Sequence, residues 1–472
     1  MKNLFCALFA SSLLCSFATP RQNVVFVLVD DLGWKDLGYT GSTFYETPNI
    51  DSLSEASVRF TDAYSSGSVC SPSRAAIMTG KHPARLNITD WIPGLDPKKE
   101  KLRGPVDLNQ LPLEEITIAE VLQDQGYRTF FAGKWHLGGK GFYPDDQGFQ
   151  TNIAGHHKGQ PPGGYYSPYK NPVLTDGPKG EYLTDRLTDE AIEFLGTVDG
   201  DPFFLFLTYY TVHTPIQPSR RHLEHFEQKL KAMDEPEVKL RAEGKGKTTL
   251  HQRNAAYASM VHALDENVGR LIAGLKEKGL YENTLIIFTS DNGGLSTVKS
   301  AYRNAAPTSV LPLRGGKGWL YEGGIRVPLL VKLAGYTGTG KASHIPVIGH
   351  DFFPTILSQL GIETDKKSDG RDLSPLFQDG GELPRDSIYW HFPHYHGSAW
   401  TPGAAIRQGD WKLIEFHETN TVELYNLAED ISETRDQSAL HPERVEHLRK
   451  LLHEKQRSMG ANSATLNTAS KH

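Results

Sequence analysis

Four stretches of the chain carry continuous apolar, β-prone residues that stop abruptly at polar ones. Val24–Val29 ends in Asp30-Asp31, and Tyr127–Ala132 ends in Gly133-Lys134-Trp135-His136. Phe203–Leu207 runs through Tyr209-Tyr210 to His213-Thr214-Pro215, and Leu285–Phe288 ends in Asp291-Asn292-Gly293-Gly294. These runs do not alternate, so they predict strands buried on both faces, as in a largely parallel sheet. Between them, Ile116–Gln125, Leu183–Leu195 and Asn254–Lys278 show helical patterns. Strands alternating with helices predict an α/β fold. In such a sheet the ligand crevice lies beyond the carboxyl ends of the strands, and all four runs place polar residues there. Singly, each polar end reads as a helix N-cap or a turn. Together they gather two Asp, an Asp-Asn pair, a Lys and two His in one crevice.

Beyond about residue 380 the texture changes. Gly361–Asp386 is rich in Gly, Asp, Ser and Pro and reads as containing a linker. Short β-prone pieces follow at Ile388–Phe392, Ala404–Arg407, Trp411–Phe416 and Val422–Leu427, then a helical pattern over Pro442–Lys455. This predicts a large mostly parallel sheet flanked by helices over 22–380 and a smaller antiparallel sheet with one helix over 381–456. The polar tail 457–472 is expected to be loose, and the charge-rich Glu224–Lys247 a solvated helix or insertion. No internal repeat is visible.

Composition narrows the class. With 472 residues, 38% hydrophobic and 22% charged, the chain can bury a full core, which excludes wholesale disorder. The formal charge is −6 with no basic block, which argues against nucleic acid as a partner. Lys2, the apolar or small stretch Leu4–Phe17 and the small residues Ser16 and Ala18 lay out a secretory signal peptide over 1–18. Its apolar run is too short to span a bilayer. Leu14 before Cys15 argues against a lipid anchor, and no later stretch reads as an integral membrane anchor. The expectation is an exported protein, periplasmic or secreted. Of the three cysteines, Cys6 and Cys15 leave with the signal peptide, so Cys70 remains alone. It is then a buried hydrophobe, a link between chains or a chemical group. Asn87-Ile88-Thr89 is a glycosylation sequon.

Cys70 opens Cys70-Ser71-Pro72-Ser73-Arg74. Pro72 suits a first helical turn, so Cys70 is expected just before a helix N-terminus, where backbone N–H groups and the dipole favour an anion. Arg74 adds a cation one turn on. At this motif the chain resembles the formylglycine-dependent sulfatases of the alkaline-phosphatase superfamily. Cys-x-Pro-Ser-Arg matches the signal for oxidation of the family's Cys, and Gly126-Tyr127-Arg128-Thr129 with Ala132-Gly133-Lys134-Trp135-His136 resembles the second signature. Asp30-Asp31-Leu32-Gly33, Thr47-Pro48-Asn49-Ile50-Asp51, His213-Thr214-Pro215 and Asp291-Asn292-Gly293 are similar blocks. So are Leu313–Gly318, Glu322–Pro328 and the late Glu423–Leu427, the whole covering about 22–436 in order.

Asp30, Asp31, Asp291 and Asn292 form a hard, all-oxygen set that suits Ca²⁺ and not zinc. The resemblance also names one Ca²⁺, with oxidised Cys70 as a further ligand. It implies that a maturation enzyme converts Cys70 to formylglycine (3-oxoalanine), whose hydrate attacks sulfur with help from Arg74. Lys134 and Lys317 would hold sulfate oxygens, His213 would protonate the leaving group, and His136 would act as the base that regenerates the aldehyde. The implied substrate is a sulfate monoester, and a sulfated carbohydrate is expected. The loop Gly155–Pro172 and the segment His391–His396 are expected to border the pocket. His156, His394, His396, Arg314 and Arg407 are the candidate substrate residues. Two other readings stay open: a phosphate or phosphonate monoester hydrolase of the same superfamily, and an inactive sulfated-glycan-binding protein.

Overall fold

Residues 21–95, 97–233, 237–299, 305–336, 338 and 340–468 are described in a computed structural model; the signal-peptide reading falls outside them. All four apolar runs are strands, Asn23–Val29, Arg128–Gly133, Phe203–Thr208 and Thr284–Ser290. They are neighbours in one eight-stranded sheet, in the order 284–290, 23–29, 203–208, 128–133. Their pairings are parallel, in register Val29 with Ser290, Leu28 with Thr208, and Gly133 with Thr208. Thr151–Ile153 extends the parallel set, and Leu329–Lys332, antiparallel, joins Val58–Phe60 and Ala342–Ser343 on the other edge.

Both faces of the central strand are covered, which is why its sequence is apolar throughout. Val25, Val27 and Val29 pack with Leu187 and Leu264 of the helices Leu183–Gly196 and Ala255–Glu277. Val24, Phe26 and Leu28 pack with Ile77, Leu122 and Ile356 on the opposite side. Each such side chain contributes about 1.5–3 kcal/mol by leaving water. The helix predicted from Ile116 begins at Ile118, because Thr117 caps it. Its Oγ1 accepts from Glu120 N at 3.1 Å, and Glu120 Oε2 accepts from Thr117 N at 2.7 Å.

The late strands form a four-stranded antiparallel sheet over Ile388–Phe392, Gly403–Gln408, Trp411–Phe416 and Thr421–Asn426. Leu448 and Leu452 of the helix Pro442–Met459 cover Ile406, Leu413 and Leu424 on one face. Trp390, Ala405 and Ile414 of the other face pack with Tyr64, Trp319 and Tyr321.

One expectation needs correction and a second is narrowed. The tail is not loose over its described part: the helix runs to Met459, and Thr465–Leu466 pairs antiparallel with Leu102–Arg103. In the charge-rich segment the described residues are helical only at Leu223–Lys231; Leu240–Glu243 and Gly246–Thr249 form an inserted hairpin that pairs with Thr297–Val298. Its alternating Thr248 and Lys247 serve a strand with one face buried. Among the described residues no helix is long and apolar enough to cross a membrane.

Candidate active site

Parallel strands in level register end on the same edge of the sheet. That edge brings together Asp30, Asp31, Lys134, His136, His213, Asp291 and Asn292. Gly133 makes the closest approach possible. Its φ is +114°, and a Cβ there would stand 1.8 Å from Thr208 O, the atom that accepts from Lys134 N at 2.9 Å. Asp31 and His136 turn out of their strands with φ of 60° and 58°, a backbone region that non-glycine residues seldom adopt and that re-aims both side chains.

Cys70 is the first residue of the helix Cys70–Thr79, buried at 3% exposure, with extended Val69 before it. It therefore sits inside the first helical turn, one position further in than the sequence placed it. Ser71 fastens this turn to the strand ends: its hydroxyl donates to His136 O at 3.0 Å and accepts from Ile92 N at 3.1 Å. Arg74 reaches back across the cluster. Its Nε donates to Asp291 Oδ2 at 2.8 Å, and Nη1 donates to Lys134 O at 2.6 Å and Thr208 Oγ1 at 2.7 Å.

The ionic network is closed. Lys134 Nζ donates to both Asp30 oxygens at 2.9 and 2.7 Å, and Lys317 Nζ lies 2.7 and 2.8 Å from the two Asp31 oxygens. Burial raises Asp30 well above the usual carboxylate range; Lys134 pulls against this and Asp291 and Asp31 add to it. Burial pushes Asp31 the same way, but Lys317, His213 and Lys134 outweigh it and hold that carboxyl well below the usual range. Asp291 is lowered too, burial being outweighed by Arg74 and Lys134.

Three carboxylates against Arg74, Lys134 and Lys317 leave no net positive charge for an anionic ligand. A bound dication would supply it, and the residues fit one. Single ligand atoms of Asp30, Cys70 and Asp291 lie within 4.8 Å of one another. Asn292 Nδ2 donates to Asp31 Oδ1 at 2.8 Å and to Gly293 O at 3.0 Å, while its Oδ1 is buried with no partner. A buried orphan carbonyl beside carboxylates is what a hard cation satisfies.

Above the cluster opens a cavity of about 790 Å³ lined by Asp31, Cys70, His136, His213, Lys317 and His396 at its polar end. Trp91, Ile92, Pro93, Leu95, Leu295 and Val298 form apolar walls; Asn109, His157, Lys158, Gln160, Thr214 and Ser398 add polar edges. Burial and Lys134 hold His136 well below the usual histidine value, burial and Lys317 do the same to His213, and burial brings His396 down to about 3.

Four of the five candidate substrate residues lie outside this lining, because other partners hold them. Arg314 donates to Glu243 Oε1 at 3.0 and 2.9 Å and to Tyr425 OH at 3.0 Å, with its guanidinium 4.0 Å over the Tyr321 ring. Arg407 binds Asp62 at 2.7 Å and Tyr64 OH. Buried His394 is bonded to Thr89 Oγ1 at 2.8 Å. Buried His156 accepts from Lys158 N at 3.1 Å, and its carbonyl accepts from His136 N at 3.2 Å, so it braces the loop. Only His396 reaches the cavity. Ser71, Thr208, Trp91 and Asn109 had no sequence signal of their own, since a hydroxyl or an aromatic at those positions also suits ordinary packing.

The Sulfatase family matches residues 22–362, and the family described as N-sulphoglucosamine sulphohydrolase, C-terminal, matches residues 316–461. Mouse arylsulfatase J is 30% identical over 425 residues, 84% of this chain but only 64% of that protein. Mouse N-acetylgalactosamine-6-sulfatase is 30% identical over 456 residues, 91% of this chain and 78% of that one. The crystal structure of Ps i-CgsB in complex with k-i-k-neocarrahexaose is 29% identical, covers 94% of each chain and superposes with a TM-score of 0.74. Family matches along most of the length, the parallel sheet and the antiparallel C-terminal sheet lead to one conclusion: the chain belongs to the sulfatase family of enzymes.

Proposed function

We propose that this protein is an exported hydrolase of carbohydrate sulfate monoesters, with Cys70 matured to formylglycine and one Ca²⁺ held by Asp30, Asp31, Asp291, Asn292 and the modified side chain. The observation that carries the reading is the placement of Cys70. It is the one soft atom in a buried set of hard oxygens, at a helix N-terminus and within electrostatic reach of Arg74 and Lys317. A thiol is a poor ligand for a hard cation and an oxygen is a good one, so oxidation at Cys70 completes the set. When present, the modification supplies a hydroxyl nucleophile and the ion polarises the sulfate oxygens.

The chain's own residues do the rest. Lys317 lines the cavity and, with buried Lys134 behind it on Asp30, offsets charge that shifts towards the leaving oxygen. Arg74, fixed by Asp291 and Thr208, holds a positive charge near Cys70 and polarises the nucleophile made from it. His213 stands 3.8 Å from Asp31 at the cavity face and, in its protonated form, would give a proton to the departing alcohol; His136 would take the proton released when the modified side chain is regenerated. Trp91 offers a flat apolar face to a sugar ring, with Asn109, Lys158 and Gln160 at its hydroxyl edges. A relative named for N-acetylgalactosamine 6-sulfate and a neighbour crystallised with a neocarrahexaose support a glycan substrate.

The test is co-expression with a formylglycine-generating enzyme, peptide mass spectrometry at Cys70, elemental analysis, and a screen of sulfated sugars beside phosphate and phosphonate monoesters. Conversion at Cys70, one Ca²⁺ and turnover of a sugar sulfate are expected. Cys70→Ser should lower the rate by roughly 10⁴-fold or more, the scale of removing a covalent nucleophile. Full activity with an unmodified thiol, or preference for phosphonates, overturns the reading.

A further inference from the structure

A second cluster of metal-ligating side chains lies away from the strand ends. The long helix Ala255–Glu277 carries His262 and Glu266 four residues apart, so they share a face. His222, just before the helix Leu223–Lys231, is set against them, and one ligand atom from each of the three lies within 4.8 Å of the others. His222 Nε2 and Glu266 Oε2 are 2.7 Å apart, and the two imidazole rings meet edge to face with centroids 4.7 Å apart. His262 Nδ1–H donates to the Glu46 carbonyl at 2.8 Å. That bond fixes the tautomer with the Nε2 lone pair available, the arrangement by which metal-bound histidines are oriented. All three residues are half-buried, open to an ion from solvent, and none lines the cavity.

We propose that His222, His262 and Glu266 form a separate site for a borderline divalent cation such as Zn²⁺, with water completing a tetrahedron. Two imidazoles and one carboxylate suit zinc and not calcium. An ion holding ligands at ~2.1 Å needs them within roughly 4.2 Å of each other, so side-chain rotation alone closes the set. On binding, the ion replaces the His222–Glu266 hydrogen bond and the ring proton moves to Nδ1. Arg221 lies 3.1 Å from Glu266 Oε2, but Asp185 holds it through contacts of 2.5 and 3.0 Å, and Lys229 and His225 are occupied by Glu46. Arg270 also acts on Asp185 but is paired with Asp189, and Asp265 lies near His262, so the acids Glu266, Asp185, Glu46, Asp189 and Asp265 outnumber Arg221, Lys229 and Arg270. The exposed Arg221 pair is a weak competitor for a dication. Bound there, the ion would clip the segment that leaves the cavity at His213 to the longest helix.

The test uses the full-length protein, stripped with a chelator and reloaded with excess Ca²⁺ so that the carboxylate site is filled. Zinc titration by calorimetry, with elemental analysis after desalting, should give one tight equivalent in the wild type. His222→Ala with His262→Ala should weaken zinc at least ~10²-fold and leave calcium content and sulfate-ester turnover unchanged. Zinc should raise the Tm of the wild type above its own value in chelator and leave that of the variant at its own value in chelator, whatever the difference between the two metal-free proteins. Glu266→Gln, nearly isosteric, takes over if the double variant does not fold. Equal zinc binding by wild type and variants, or none by the wild type, overturns the site. Neither result depends on turnover, so the sulfatase reading stands or falls separately.

Discussion

Three of the four histidines that line the cavity, His136, His213 and His396, have one nitrogen fixed by a hydrogen bond, and the other nitrogen decides what each can offer. His136 donates Nε2–H to Ile92 O at 2.5 Å, which leaves Nδ1 as a bare, buried lone pair: a base. His396 accepts Ser398 N–H on Nδ1 at 3.2 Å, so its neutral ring presents Nε2–H, a donor. His213 donates Nδ1–H to Thr214 O at 2.7 Å, and its Nε2 faces the cavity without a proton, since burial and Lys317 hold the ring well below the usual histidine value. Lys317 is the opposite case. Burial lowers it, but Asp31 and its neighbours prevail and keep it charged beyond the alkaline range. These states separate two proton donors. If His213 serves the leaving group, sugar-sulfate kcat/KM climbs towards acid pH, because above a depressed pKa the protonated fraction falls about tenfold per pH unit. With Lys317 as donor the profile stays flat through neutrality. His213→Ala is expected to slow sugar sulfates ~10²–10⁴-fold and aryl sulfates, with their better leaving group, much less. Steady-state kinetics of both esters across pH settle it; equal slowing passes the role to Lys317.

At the scale of elements, the site is where parallel strands in register run out. That much was legible, because a strand buried on both faces leaves a continuous apolar run and its first polar residue marks the sheet edge. Val24–Val29 followed by Asp30-Asp31 shows it directly. The Arg residues were not legible. Arg314 is claimed by Glu243, 71 positions away, and Arg407 by Asp62, 345 positions away; no local pattern shows such a partner. The order of the tail is hidden for the same reason, since Thr465–Leu466 pairs with Leu102–Arg103, more than 360 positions earlier. Ser71 sits inside the Cys70–Arg74 motif, and its hydroxyl ties the Cys70 helix to His136 and Ile92. Gly133 is the tightest point of this joint. Gly133→Ala would drive a Cβ into Thr208 O at 1.8 Å and impose a φ of +114° on a residue that resists it. The strand end must shift, and Lys134 with it. A loss of about 2–4 kcal/mol in denaturant unfolding is expected, together with a fall in kcat that exceeds any change in KM. A variant with wild-type stability and kcat would show that the 133–208 approach is looser than described.

For the whole molecule, the sheet over 388–426 is locked to the main body by a buried charge cluster. Lys412 Nζ lies 2.9 Å from Glu322 Oε1 and 2.9 Å from Glu433 Oε1, all three side chains fully buried, and Arg326 donates to Glu322 at 2.7 Å. Glu433 Oε2 in turn accepts from Glu322 N at 2.7 Å. Two carboxylates against Lys412 and Arg326 are balanced only while each cation is present. Removing Lys412 as Met should cost about 3–5 kcal/mol, the scale for stranding buried charge. The two acids titrate in opposite directions. Burial works to raise Glu322, but Lys412, Arg326 and Arg407 outweigh it and keep it ionised through the neutral range. Burial pushes Glu433 up to about 7 from an ordinary 4.5, with Lys412 pulling against this and the Glu322 carboxylate adding to it. A folded-state pKa above the unfolded one means that the native state binds the proton more tightly. The contribution of Glu433 is therefore complete below about pH 4.5 and lost as pH rises through about 7. Glu433→Gln fixes the neutral form in nearly the same volume. Its stability relative to wild type should improve between pH 5 and pH 8 in urea unfolding, by more than 1 kcal/mol if the shift exceeds about one pKa unit. Neither Lys412 nor Glu433 lines the cavity, so kcat at pH 7 should not move. A Gln variant that tracks the wild type at both pH values would place the Glu433 proton elsewhere in the cluster.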